Sequence, residues 1–380
     1  MNKIYCIYTL IFVFLLTACR DDEMFINTEE VEQVVPGSAT NEISGFYLLN
    51  EGNMGMNRAS IDYFNYQTGY YHRNIYPSRN PQIVKELGDV GNDIQIYDNK
   101  LFAIINVSNY LEIMDLNGIH LKSIEIPNCR YITFKDDKAY ISSYATSVSI
   151  NPDAGKGIVF ELDLKTLELT RKVEVGYQPE EMIVRKNRLY VANSGGYRVP
   201  NYDHTVSVVD LDSFKELKKI DVGINLHRIE IDKRGDIYVS SRGDYYNIPS
   251  NLYLIDGETE TVVKQFDIPI GNMTISGDSL YFYSVEWSYI TNSNTTSYGI
   301  IDLKKKEQVS DNLITDGTDK KIMIPYGLNI NPETKEIFIT DAQNYVVTGV
   351  LYCFNPHGKY QWSVWAGNIP AHMVFVRKQQ

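Results

Sequence analysis

Cysteine is scarce. The 380 residues contain four, at positions 6, 19, 129 and 353, and none lies in a Cys-x-x-Cys pair or beside a histidine. That spacing excludes a zinc module or a disulfide framework as the basis of the fold. Cys129 and Cys353 are expected to be buried as small apolar side chains, with a bond between them left open. Six histidines are scattered along the chain. No His-Glu-x-x-His, Gly-x-Ser-x-Gly or Walker-type loop occurs, so the common hydrolase and nucleotide-binding signatures are missing. Positive charge is in deficit. Lys and Arg total 36 against 48 Asp and Glu, for a net charge of −12, which argues against nucleic acid and anionic lipid as ligands. No apolar run is long enough to span a bilayer. No sustained helical apolar period is present either, which leaves an all-β chain.

The N-terminus carries a targeting pattern. Lys3 precedes a short apolar stretch at 7–16, followed by Leu16-Thr17-Ala18-Cys19. A branched or Leu position, two small residues and a Cys form a bacterial lipobox, with cleavage before Cys19 and acylation of that residue. The run Arg20-Asp21-Asp22-Glu23 resembles the signal that sends lipoproteins to the outer face of the outer membrane in some Gram-negative anaerobes. Residues 20–42 hold seven carboxylates and one Arg, the composition of a self-repelling tether. The expected division is a signal peptide at 1–18, an acylated Cys and acidic tether at 19–42, and one domain at 43–380, lipid-anchored in the outer membrane and facing outward.

What is abundant is tyrosine, 29 residues, and much of it lies in a repeated unit. A short apolar strand is followed by a tight turn, then by a strand bearing an aromatic: Tyr47, Phe102, Tyr140, Tyr190, Tyr238, Tyr281 and Phe338. After a variable polar loop a third strand follows, usually ending in Asp, as at Asp115, Asp163, Asp210, Asp256 and Asp302. The aromatics recur at spacings of 38 to 57 residues, which bracket the ~40–50 of one propeller blade. The strand before the aromatic one reads six times in order, at 93–96, 131–134, 181–184, 228–231, 272–275 and 327–330. The first unit lacks it, and a seventh copy stands at 372–375. These counts predict a seven-bladed β-propeller closed by pairing of the C-terminal strand into the first blade, which removes the free edges of the ring.

The unit Tyr190-Val191-Ala192-Asn193 followed by Val206-Ser207-Val208-Val209-Asp210 resembles the YVTN/YncE-like propellers. A narrower resemblance rests on Phe46-Tyr47-Leu48-Leu49-Asn50-Glu51-Gly52-Asn53, on Asp89-Val90-Gly91-Asn92-Asp93-Ile94-Gln95-Ile96-Tyr97 and on Leu101 to Asn106, together with the lipobox and the acidic leader. These look like the surface lipoproteins of the BtuG type. That resemblance implies capture of cobalamin (vitamin B12) or a related cobamide, and delivery to a TonB-dependent outer-membrane transporter. It implies no catalysis and no cofactor, the corrinoid being the ligand.

In a propeller, the loops after the aromatic strands and the loops entering the inner strands open on one face. Here they are rich in amide, charged and aromatic side chains, which suit a flat ligand with amides around its edge and apolar faces. The candidate ligand-binding residues are Asn50, Glu51, Asn53, Asn92, Asn106, Arg130, Tyr144, Glu181, Asn193, Tyr197, Arg228, Arg242, Tyr245, Trp287, Tyr326, Asp341, Tyr345 and His372. His227 and His372 occupy comparable positions and are read as polar channel lining. For any one Asn or Gly in these loops, turn chemistry is the competing explanation. Two other functions stay open. One is a propeller lactonase or hydrolase holding a divalent cation through Glu51, Glu181, Glu286 and Asp341. The other is a scaffold binding protein or glycan through the same face.

Overall fold

Alternate residues of each central strand face opposite sides of its sheet, and here both sides are buried. In blade four, Leu189 and Val191 pack with Tyr140 and Val159 of the preceding blade. Tyr190 and Ala192, between them, pack with Ile229 and Ile237 of the following one. The strands therefore read as near-continuous apolar runs instead of an apolar–polar alternation. A computed structural model describes residues 29–39, 41–83, 86–288 and 293–378. The signal peptide, Cys19 and the first part of the tether lie outside the described residues.

The described strands form seven sheets, six of four strands and one of five. Blade four shows the plan: inner strand Pro179–Arg185, then Arg188–Asn193, Thr205–Asp210 and outer strand Lys215–Asp221, each antiparallel to the next. Seven apolar clusters lie between neighbouring blades, one for each junction around the ring. The core is thus a ring of wedges around a polar axis. Burial of both sheet faces supplies the main stabilisation. The Asp that ends a third strand has a local reason. Asp163 accepts the N–H groups of Lys165 and Thr166, and Asp256 accepts those of Glu258 and Thr259, which turns the chain into the outer strand.

The ring closes as the repeat count requires. Strand Pro370–Arg377 pairs with Ile43–Asn50, setting Phe46 opposite Phe375 and Leu48 opposite Met373. The wedge at this junction is the most aromatic one. Phe46 stands 5.1 Å from Phe338, and Phe64 stands 5.1 Å from Trp362, between ring centroids. Residues 30–33 differ from the tether reading. Glu30–Gln33 pairs with Tyr70–Arg73 as a fifth strand on the outer edge of blade one, where the short outer strand offers unpaired backbone groups. Farther on, the N–H groups of Asn41, Glu42 and Ile43 all donate to the Glu333 carboxylate of blade seven. Cys129 and Cys353 are both buried and free; they do not pair.

Candidate functional site

The inner strands break their own alternation at the mouth. Register shifts occur between Pro179 and Met182, Leu226 and Ile229, and Pro325 and Leu328, with similar ones in blades one, two and three. Two consecutive residues then oppose one on the neighbouring strand. Such a bulge re-aims side chains that a regular strand would send to opposite faces. In blades three, five and seven the backbone N–H exposed by the bulge is satisfied by a hydroxyl from the second strand. Tyr131 N–H donates to Ser142 Oγ at 3.1 Å, Arg228 N–H to Ser240 Oγ at 3.0 Å, and Gly327 N–H to Thr340 Oγ1 at 2.6 Å. The bulged pairs Arg130–Tyr131, Glu180–Glu181 and His227–Arg228 therefore gather around the axis.

A cavity of about 820 Å3 opens there, lined by residues from all seven blades. That size lies within the range of small-molecule sites. Of the candidates, Glu51, Asn92, Asn106, Arg130, Tyr197, Arg228, Arg242, Tyr245 and Tyr326 line it. Tyr245 and Tyr246 stand at its rim, 62% and 79% exposed. Tyr345 meets Tyr326 edge-on at 6.0 Å, and Asn53 donates to the Tyr345 carbonyl, joining blades one and seven at the rim.

A second layer supports this wall. Glu180, fully buried, accepts from Arg130 Nη2 at 2.9 Å, from Arg242 Nη1 at 3.1 Å and from the Tyr144 hydroxyl at 2.6 Å. Burial alone would raise its carboxyl, but Arg130 and Arg242, with the Tyr144 hydroxyl, outweigh it and hold the group below the usual carboxylate range. Glu181 accepts the Ile229 N–H at 2.8 Å and pairs loosely with Arg228 at 3.4 Å. Its carboxyl is pushed up by burial, with Arg228 opposing. His372 Nε2 lies 3.4 Å from Glu51, whose other oxygen accepts the Tyr326 hydroxyl at 2.8 Å.

Three candidates sit elsewhere. Asn50, Asn193 and Asp341 are fully buried at the ends of second strands and do not line the cavity. Asn50 bonds Ser60 and the Gly367 N–H. Asn193 donates to Thr205 and Ser207. Asp341 accepts the N–H groups of Met323, Ile324 and Gln343. Their chemistry is that of turns. Trp287 lies in the second strand of blade six, opposite Asn294. Of the four carboxylates considered for a cation, Glu51 and Glu286 line the cavity, while Glu181 and Asp341 accept backbone N–H groups. Among the described residues no cluster of three or more His, Cys, Asp or Glu is placed to hold a metal ion.

The site also holds residues that the loop reading passed over. Tyr131 donates or accepts at His227 Nε2 over 3.1 Å, and burial pushes its hydroxyl up to about 12. Asn272 and Tyr283 both donate to the Tyr326 carbonyl. The signal was positional: Tyr131 follows Arg130 as Arg228 follows His227.

Below the mouth, Glu230 accepts the Ile275 N–H at 3.2 Å. Burial first, then the neighbouring Glu181, raises its carboxyl to about 8. With the folded pKa above the unfolded one, folding takes up a proton between these values. The contribution to stability is full below about pH 4 and is lost as pH rises through about 8. Glu230→Gln should flatten that decline and be more stable than the parent at pH 9 by ~1–3 kcal/mol. Urea denaturation of both proteins at pH 5 and pH 9 measures this, and parallel profiles would contradict it.

Fold and site together define a seven-bladed β-propeller with a ligand-sized cavity at its axial mouth. By sequence, residues 44–375 match the family described as Domain of unknown function (DUF5074), and the chain belongs to that family. No curated protein matches the sequence. Similar solved structures include a hypothetical selenium-binding protein from Sulfolobus tokodaii, with TM-score 0.65 and 12% identity, covering 88% of this chain and 94% of that one. A quinonprotein alcohol dehydrogenase-like protein from Bacteroides thetaiotaomicron gives 0.62 and 14%, covering 89% and 80%. A candidate 6-phosphogluconolactonase from Bacteroides fragilis gives 0.60 and 11%, covering 90% and 100%. At such identities the likeness concerns the fold alone.

Proposed function

We propose that the protein captures a corrinoid, cobalamin or a related cobamide, at the axial mouth and passes it intact to a TonB-dependent outer-membrane transporter. The observation that carries this reading is the convergence of tyrosine rings, amides and guanidinium groups from all seven blades on one cavity. A corrin ring has amides around its edge and apolar faces. Arg and Asn pair with such amides, while Tyr131, Tyr326 and the exposed Tyr245 and Tyr246 cover apolar surface and keep a polar tip. The bonded second layer holds these groups in place before binding, which lowers the ordering cost. The leader resemblance completes the proposal: Cys19 anchors the propeller to the outer membrane, facing outward, and the mouth collects ligand without making or breaking a bond.

Calorimetric titration of the full chain in non-ionic detergent with cyanocobalamin tests this. Saturable binding at micromolar protein is expected. Tyr131→Ala and Tyr326→Ala should weaken it by about 10-fold or more, ~1.4 kcal/mol each, while Lys215→Ala on the outer strand of blade four leaves it unchanged. No binding heat would remove the proposal. Cys19→Ser should leave the membrane fraction; retention there would contradict the anchor.

A further inference from the structure

One side of the cavity floor is built differently from the rest. Arg130 comes from blade three, and Arg228 and Arg242 come from blade five; all three line the cavity. Arg130 and Arg228 flank the Tyr131 ring, with their guanidinium carbons 5.8 and 5.6 Å from its centroid. Glu180 lies between Arg130 and Arg242 and offsets one positive charge of the two. The third arginine is less well matched. Arg228 has only 12% of its side chain exposed, and its ion pair with Glu181 is long, at 3.4 Å. Its Nε is buried with no hydrogen-bond partner among the described residues.

A guanidinium carries five donors in a fixed fork, and a buried donor without an acceptor is costly. An oxyanion is the acceptor that matches such a fork. His227, between these groups, reports the local potential. Burial and the charges of Arg242, Arg228 and Arg130 push its pKa well below the ordinary value. Its ring nitrogen contacts the Tyr131 hydroxyl at 3.1 Å. Glu51 and Glu286 line other parts of the same cavity, while Glu181 and Asp93 lie near Arg228, so the three arginines form a local group within an acidic molecule of net charge −12.

We infer that the floor beside Tyr131, between Arg228, Arg242 and His227, is a subsite for an oxyanion carried by the ligand, a phosphate or a carboxylate group. This rests on reading the mouth as a ligand site, but not on the ligand being a corrinoid. The neutral parts of the ligand then lie toward the tyrosine rim, and its charged group points down the axis.

The test is titration of the full chain with inorganic phosphate at fixed ionic strength, with dimethyl phosphate and acetate as parallel probes. Saturable binding of at least one oxyanion is expected at millimolar concentration or below. Arg228→Gln and Arg242→Gln should each weaken it at least 10-fold, with unchanged circular dichroism and cooperative melting; Lys215→Gln should have no effect. Preference for the two phosphates assigns a phosphate-bearing ligand, and preference for acetate assigns a carboxylate. No saturable heat with any of the three, or equal binding by both arginine variants, would overturn the subsite. Cyanocobalamin run on the same proteins separates the two ideas. If it binds the parent and both variants equally while phosphate gives no heat, the subsite falls and capture stands. If phosphate binds in an arginine-dependent way and cyanocobalamin does not bind, the capture reading falls and the subsite stands.

Discussion

Deletion of residues 370–380 should leave a chain without a cooperative thermal transition. Strand Pro370–Arg377 is the inner strand of blade one, and it is far from that blade's other strands in sequence. It pairs along Ile43–Asn50 and also ties blade seven to blade one. Thr340 Oγ1 donates to the Pro370 carbonyl at 2.5 Å, and Asn329 Nδ2 to the Met373 carbonyl at 2.9 Å. Without it, one edge of Ile43–Asn50 and the wedge around Phe46, Phe338 and Trp362 meet water. The loss is comparable with the ~5–15 kcal/mol that stabilises a whole domain. Removal of Glu30–Gln33 from the other edge of the same sheet is the matched control. All four of its residues are exposed, so that deletion should cost only ~1 kcal/mol or less. Calorimetric melts of the two deletions give the comparison; a C-terminal deletion melting within a few degrees of the parent would contradict ring closure.

The second large effect is expected at Glu180. Glu180→Gln removes the one carboxylate that Arg130, Arg242 and Tyr144 share inside the wall. Breaking a buried ion pair by removing one partner leaves the other charge unmatched, at a cost of ~3–5 kcal/mol. Because the Glu180 carboxyl is held below its ordinary range, its contribution is present above about pH 4 and is lost as pH falls through the folded value. The gap between parent and variant should therefore be widest near pH 7 and narrow in acid. Guanidinium denaturation at pH 7 and pH 3 tests both parts. A difference under ~1 kcal/mol at pH 7 would show that Glu180 does not organise the arginines.

The ring was legible because its cause is local and repeated. Both faces of each central strand are buried, so Leu189 to Ala192 form an apolar run. The Asp that ends five of the third strands recurs for a backbone reason. Closure was legible from counting, since the strand missing before Tyr47 reappears at 372–375. The fifth strand at Glu30–Gln33 was not, because four exposed residues in an acidic stretch have the composition of a tether.

The site was legible only in part. Arg130, Arg228, Arg242 and Tyr326, singled out by loop position, line one cavity. Asn50, Asn193 and Asp341, chosen by the same rule, are buried outside that cavity, where their amides and carboxylate tie strand ends together. Tyr131 was missed because strict alternation assigns it the face opposite Arg130. A bulge opposite Ser142 brings both to the axis, and such a register shift leaves no mark in a single strand's apolar pattern. Long-range pairs such as Tyr131 with His227 join blades far apart in sequence.

Whether the mouth receives a corrinoid is decided by a crystal structure of the full chain with cyanocobalamin. Density for the corrin is expected at the axial cavity, in contact with Tyr131 and Tyr326 and with its phosphate toward Arg228 and Arg242. Density at another surface, such as the groove between Val35 and Trp362, or an empty mouth at saturating ligand, would contradict it.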